Sequence, residues 1–170
     1  MTVVVITGIL AAVCFESMRR HAKAARSSEA TAMLMSIRGA EERWRAEHMM
    51  YLNVSRNNAW YPRDPTVFAN KNTESSFYFA PGDVTHADNA NWLALRPTVA
   101  GPVRYGYLVN AGNTGGAMTI PAFGPAVTWP TPTDNWYVIQ ALGDMDGDGS
   151  YSYYRASSLD GEVESINPGG

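Results

Sequence analysis

"MTVVVITGILAAVCFESMRRHAK" (Met1–Lys23) opens the chain, and what covers this run decides the fold. Met1 to Phe15 carry no charge, and Arg19, Arg20, Lys23 and Arg26 then follow closely. Apolar residues fall on every face of a helix here, so the segment must be buried in lipid or protein. It is short for a membrane span. About 15 residues reach only about 22 Å, against roughly 30 Å for the hydrocarbon core. A secretory signal needs basic residues ahead of the apolar stretch, and none stand there. A lipoprotein leader needs a small residue before the acylated cysteine, but Val13 precedes Cys14. A plain anchor with its basic flank on the C-terminal side would hold the remaining chain in the cytoplasm, for which its composition is ill suited. The expectation is that the run is the latter part of a longer apolar segment.

The chain of 170 residues has room for one ordinary domain plus an extended helix. Hydrophobic content of 45% is enough for a real core, and the 17% of charged residues are unevenly placed. Residues 1–56 carry eight Lys/Arg and five Asp/Glu, whereas residues 57–170 carry five and eleven. An acidic, loop-rich head on a basic helix argues against nucleic acid as the main partner, because phosphate affinity needs clustered Lys and Arg. Cys14 is the single cysteine, so no intrachain disulfide can form.

From Glu16 to about Leu52 the pattern continues as a helix rich in Ala, Met, Glu and Arg. Ala22, Ala25, Ala30, Met33, Leu34, Ile37, Ala40 and Trp44 recur at three- and four-residue intervals, which defines one apolar stripe. Arg19, Arg26, Arg38, Glu42 and Arg45 mark the opposite face, read as solvated with i,i+4 pairing. The chain thus divides into an N-terminal helix, residues 1–52, and a head, residues 53–170. Within the helix, residues 1–18 form the membrane or filament-core half and residues 19–52 the amphipathic half. After Leu52, turn formers and aromatics predict a long wrapped loop with one short helix near Asn89–Leu95. Strands are expected at Val103–Ala111, Asn135–Gly143, Ser150–Ser158 and Gly161–Ile166, the last two joined as a hairpin. The Gly- and Pro-rich stretch between the first two reads as a surface excursion. The fold class is therefore α+β, a long helix packed on a small C-terminal antiparallel sheet.

"MTVVVITGILAAV" resembles the latter part of the N-terminal segment of type IV pilins, and "ARSSEATAMLMSIRGAEERW" resembles the amphipathic half of the pilin helix. "RYGYLVNAG" and "WYVIQALGDMDGDGSYSYYRASSLDGEVESIN" are similar to pilin sheet strands, more weakly. The resemblance implies a type IV pilin fold and places Met1 about six residues inside the family's segment. It implies a homo-oligomeric helical filament of Gram-negative bacteria, built by inner-membrane assembly machinery. Such a chain is held in the inner membrane first and is then displayed outside the cell for attachment and motility. Val3, Val4, Ile6, Gly8, Ile9, Leu10, Ala11, Ala12, Val13 and Phe15 would pack the filament core. Glu16, Arg19, Arg20, Lys23 and Arg26 would carry charge between subunits. The chain departs from the family in having Glu16 where a proline often interrupts the helix. The family's cleavage site and early glutamate would lie ahead of Met1.

Nothing in the sequence points to an enzyme. His21, His48 and His86 lack metal-ligand spacing, "GNTGG" lacks the Lys-Ser/Thr of a phosphate loop, and no nucleophile–base arrangement stands out. Trp44, Tyr51, Trp60, Tyr61 and Trp92 read as packing aromatics. "GDMDGDGSYSYY" is the exception. Asp144, Asp146 and Asp148 stand at positions one, three and five of a calcium-type loop, with Gly149 at six and the Ser150 carbonyl next. Arg155 replaces the closing glutamate, so the loop is not an EF-hand, and a solvated turn is the competing reading. Two alternatives to a pilin stand beside these signals: a pseudopilin of a type II secretion system, and a membrane-anchored calcium-binding domain that never polymerises.

Overall fold

The computed structural model describes the backbone of all residues except Met1, 67–73, Pro81, Asp83, Pro125, 146–148 and 169–170. Before Ala24 it describes side chains only at Cys14, Ser17, Met18 and His21. Two helices and four strands make up the described chain: α1 (Thr2–His48), α2 (Asn89–Leu95), β1 (Gly106–Gly112), β2 (Trp136–Gly143), β3 (Ser152–Ser157) and β4 (Val163–Ile166).

The strands form one antiparallel sheet in sequential order, β1-β2-β3-β4. Partners in register project to the same face. Val109 faces Ile139, Ala141 faces Tyr154, and Ala156 faces Val163, which makes the inner face. Leu108 faces Gln140, Gln140 faces Arg155, and Arg155 faces Glu164, a single row across the outer face. β2 is buried along its whole length, so both sheet faces are covered. That explains why its sequence is a continuous apolar run and not an alternation.

On the inner face lies α1. Ala30, Met33, Leu34, Ile37 and Ala40 are buried against Val109, Tyr137, Ile139, Ala141, Tyr154 and Ala156. The spacing of the apolar stripe is the cause, since residues three and four apart share a helix face. A second aromatic layer extends this core beneath the wrapped loop. Tyr61 stacks on Trp92 at 5.0 Å, and Phe77 meets the Trp92 ring edge-on at 5.2 Å. The helix α2 supplies Trp92 and Leu95 to it and stops at Arg96, which adopts a left-handed conformation directly before Pro97. That is a common helix stop, because the residue before proline avoids the helical region. The outer face carries a smaller cluster of Trp60, Leu108, Leu142 and Tyr153, with Phe123 and Ile166 packed on it.

The expected fold needs correction. The resemblance implied a type IV pilin fold in which the apolar first half of one long helix spans a membrane. The described chain has two helices and a four-stranded sheet, and among the described residues no helix is long and apolar enough to cross a membrane. The physical reason lies in the described part of α1. A span requires about 20 predominantly apolar residues. From Ala24 to His48 the helix instead carries Arg26, Glu29, Arg38, Glu41, Glu42, Arg43, Arg45 and Glu47. From Ala24 onward α1 is amphipathic, with the exposed Ala24, Ala25 and Ser28 opposed to the buried Ala30 and Leu34.

Candidate functional site

Among the described residues, contact between α1 and the head begins at Arg26. Its Nη1 donates to the Met145 carbonyl at 2.9 Å, and one residue later Tyr154 Oη donates to Ser27 Oγ at 2.9 Å. Arg104 then bridges helix and loop, donating its N–H to Glu29 Oε1 at 2.7 Å and its Nη1 to Glu29 Oε2 at 3.1 Å. The same guanidinium pairs with Glu74. Ahead of Arg26 the described positions, Cys14, Ser17, Met18, His21, Ala24 and Ala25, are all exposed.

Two of the helical charges read as a solvated face, Arg38 and Arg45, reach the head, as does Arg43 beside them. Arg38 donates to the Gly161 carbonyl at 3.2 Å, and Arg43 donates to the Leu95 carbonyl at 2.6 Å. Arg45 pairs with Asp134 at 2.8 Å and donates to Tyr51 Oη at 2.9 Å, while Tyr51 Oη donates to Glu42 Oε1 at 3.1 Å. The long side chains therefore reach past the stripe and clasp the head from its flanks. Periodicity locates a face but not how far an arginine reaches.

The filament-packing set, Val3, Val4, Ile6, Gly8, Ile9, Leu10, Ala11, Ala12, Val13 and Phe15, lies in α1 with side chains outside the described residues. The same holds for Glu16, Arg19, Arg20 and Lys23 of the charge set, so Arg26 is its described member. Of the metal set, Asp146 and Asp148 lie outside the described residues. Asp144 is buried at the end of β2, and its Oδ2 accepts the Gly149 N–H at 2.9 Å, closing the loop on itself. Gly149 has φ +92°, a conformation that L side chains rarely adopt. Ser150 is exposed. Among the described residues no group of three or more His, Cys, Asp or Glu side chains is placed to hold a metal ion. The described part of the loop thus offers one carboxylate, beside a carbonyl already engaged by the Arg26 guanidinium.

Glu41 was not singled out by its sequence, and it is the most perturbed carboxyl described. It is fully buried in α1, its Oε2 accepts the Leu52 N–H at 2.9 Å, and its Oε1 has no hydrogen-bond partner. Burial pushes its pKa up to about 8, aided by Glu42 and opposed by the Leu52 N–H. It is therefore mostly protonated at neutral pH. The signal was present in the stripe, since position 41 is four residues beyond Ile37 and seven beyond Leu34. A carboxyl in phase with the core either neutralises or finds a partner.

No family model matches the chain, and no curated protein or solved structure is similar to it.

Proposed function

We propose that this chain is a structural subunit of an extracellular filament of the type IV pilus kind, polymerising through the N-terminal half of α1 for surface attachment and motility. One observation carries the reading: among the described residues, contacts of α1 with the head start at Arg26, and those before it are exposed. The sequence of that first half, Met1 to Phe15, is uncharged and apolar on every helix face, a pattern that lipid or other copies of the helix would cover. The resemblance of the first 50 residues to pilins supplies the particular class, and the head's topology adds no argument for it. In this reading the chain is held in the inner membrane before assembly, handled there by pilus assembly machinery, and found afterwards at the cell surface. Small residues such as Gly8, Ala11 and Ala12 suit close helix approach between copies. The role is structural and needs no catalysis. Electron microscopy of cells producing the chain, with peptide identification of sheared filaments, tests the proposal. Filaments lacking this chain, or no filaments, refute it.

A second reading draws on the Asp144–Gly149 loop. A pseudopilin of a secretion system would use calcium there to stiffen the C-terminal part of the head. The Asp144 bond to the Gly149 N–H supports that reading by holding one carboxylate at the start of the loop. Loss of protein secretion with intact pili on deletion favours the pseudopilin. Lost pili with intact secretion favour the filament subunit.

A further inference from the structure

The turn that leads the chain into α2 holds a histidine and a buried carboxylate that filament assembly does not use. His86 is half-buried, and both of its ring nitrogens are engaged. The Asp88 backbone N–H donates to Nδ1 at 3.1 Å, and the Trp60 carbonyl oxygen lies 3.0 Å from Nε2. An amide N–H can only donate and a carbonyl can only accept, so these two partners assign the tautomer. Nδ1 is the acceptor, Nε2 carries the proton, and the ring is neutral. In this form it ties the wrapped loop at Trp60 to the start of α2 at Asp88. The Tyr61 ring meets the imidazole at right angles, with centroids 4.9 Å apart, and stacks in turn on Trp92 of α2.

Asp88 completes the arrangement. It is fully buried, and its Oδ1 accepts the Asn57 Nδ2–H at 2.8 Å. Its Oδ2 has no hydrogen-bond partner among the described residues, and its side chain makes no capping bond to the helix it precedes. A buried carboxylate oxygen in this state is unfavourable until a donor reaches it. Protonation of His86 creates that donor. The new Nδ1–H opposes the Asp88 N–H, donor against donor, so the bond between them cannot persist. Oδ2 belongs to the same residue as the displaced N–H, and side-chain torsions alone can exchange one partner for the other. The other polar groups bonded to or packed on the pair are the Asn57 amide and the Tyr61 phenol, whose Oη donates to Asn89 Oδ1 at 3.1 Å.

We propose that His86 and Asp88 form an acid-sensitive joint. The neutral ring accepts the Asp88 N–H, and the protonated ring donates from Nδ1 to Asp88 Oδ2. Nε2–H stays on the Trp60 carbonyl in both settings, so the ring remains tethered to the wrapped loop while its other side changes partner. A charge-assisted bond thereby replaces a neutral one, and such bonds are roughly twice as strong. The rearrangement is local to the turn. Val84 is 92% exposed and Thr85 and Ala87 are exposed, whereas Trp92 and Leu95 stay in the core. Imidazole is the side chain whose charge changes near neutral pH, so the head presents one form of this surface turn at neutral pH and another in acid. Both residues belong to one head, and the inference stands apart from the filament reading.

Nuclear magnetic resonance of the purified, 13C,15N-labelled full chain in detergent solution tests it between pH 7.5 and 4.5. At pH 7.5 the two ring nitrogen shifts of His86 should report the Nε2–H tautomer. As the pH falls, the Asp88 amide and the Asp88 carboxyl carbon should move together with the ring signals, at one midpoint. Hydrogen-exchange protection of the Asp88 amide should drop about tenfold through that step, the loss of one neutral hydrogen bond. The amides of Val109 and Ile139 in the sheet should keep their shifts. His86→Asn keeps an acceptor near the place of Nδ1 but cannot gain a proton, so its Asp88 amide should stay fixed over the same range. An Nδ1–H tautomer at pH 7.5 overturns the proposal. So do Asp88 signals that stay still while the ring titrates, a step that persists in His86→Asn, or sheet amides that move with the turn, which is acid unfolding. None of these readouts depends on filament yield, so a failure here is distinct from a failure of assembly.

Discussion

Replacing Glu41 by glutamine isolates the effect of ionising a carboxyl inside the core. In the wild type the folded-state pKa is about 8, above the ordinary value of 4.5. Below pH 4.5 the group is protonated in both states and does not disfavour folding. Between pH 4.5 and 8 the unfolded chain releases the proton while the folded chain keeps it, so stability falls as pH rises. The slope approaches about 1.4 kcal/mol per pH unit, and the loss saturates above pH 8 at about 5 kcal/mol. At pH 7 the loss is about 3 kcal/mol, a large fraction of the 5–15 kcal/mol typical of folded domains. Glutamine at position 41 can still accept the Leu52 N–H and cannot ionise. Its amide meets the same partnerless environment as Oε1, which lowers stability by about 1–3 kcal/mol at every pH. The expected result is a variant that is the weaker at pH 5 and equal or stronger at pH 7.5. Urea unfolding of the full chain at half-unit steps from pH 4.5 to 8.5, followed by tryptophan fluorescence, measures the slope. A wild-type curve flat across that window, or a variant that keeps the wild-type slope, refutes the reasoning.

Ile37→Ala removes a fully buried side chain between α1 and the sheet and should lower stability by about 2–5 kcal/mol in the same unfolding assay. Gly106→Ala would place a methyl carbon 2.8 Å from both the Arg63 carbonyl oxygen and Pro65 Cδ. Because one of these is backbone, the wrapped loop must shift, at a cost of about 1–3 kcal/mol read from the urea midpoint. Calcium at millimolar concentration is expected to raise the melting temperature of the full chain, and Asp146→Ala to abolish the rise. Neither heat of binding nor any shift would reduce the loop to a turn. Ala12→Trp should cut filament yield, counted by electron microscopy, while the unfolding curve of the head stays unchanged.

The strands and the short helix were legible because each is bounded by its own punctuation. Arg96-Pro97 stops α2, and Leu-Asp-Gly turns β3 into β4. The stripe of α1 likewise named its buried members, Ala30 through Ala40, from spacing alone. What sequence could not supply was reach. Arg38, Arg43 and Arg45 find carbonyls and carboxylates 50 or more residues away, and the order in which strands pair decides which of these come near. A cleft on the outer face was hidden for a related reason. "GNTGGAMTIPAFGPAVTWPTPTDN" carries no periodicity, and only its return over Gln140 and Arg155 turns a surface excursion into a lined cavity. The membrane-span reading does not carry over Ala24–His48, where Arg26, Glu29, Arg38 and the charges from Glu41 to Glu47 break up the apolar pattern.

Because the segment of α1 from Arg26 to His48 is both a wall of the core and the continuation of Thr2–Ala25, any pull on that first half reaches the sheet without passing through a linker. Tension along the helix axis loads the Ala30–Ala40 stripe in shear, so the whole row of contacts must slide together before any one separates. The arginine clasps at Gly161, Leu95 and Asp134 share that load in parallel, each anchored to a different part of the head. A head joined by a flexible tether would instead peel open one contact at a time from its edge. Continuity between helix and core gives this chain the mechanics of a bonded lap joint, strong along the helix and weakest when the helix is lifted away from the sheet.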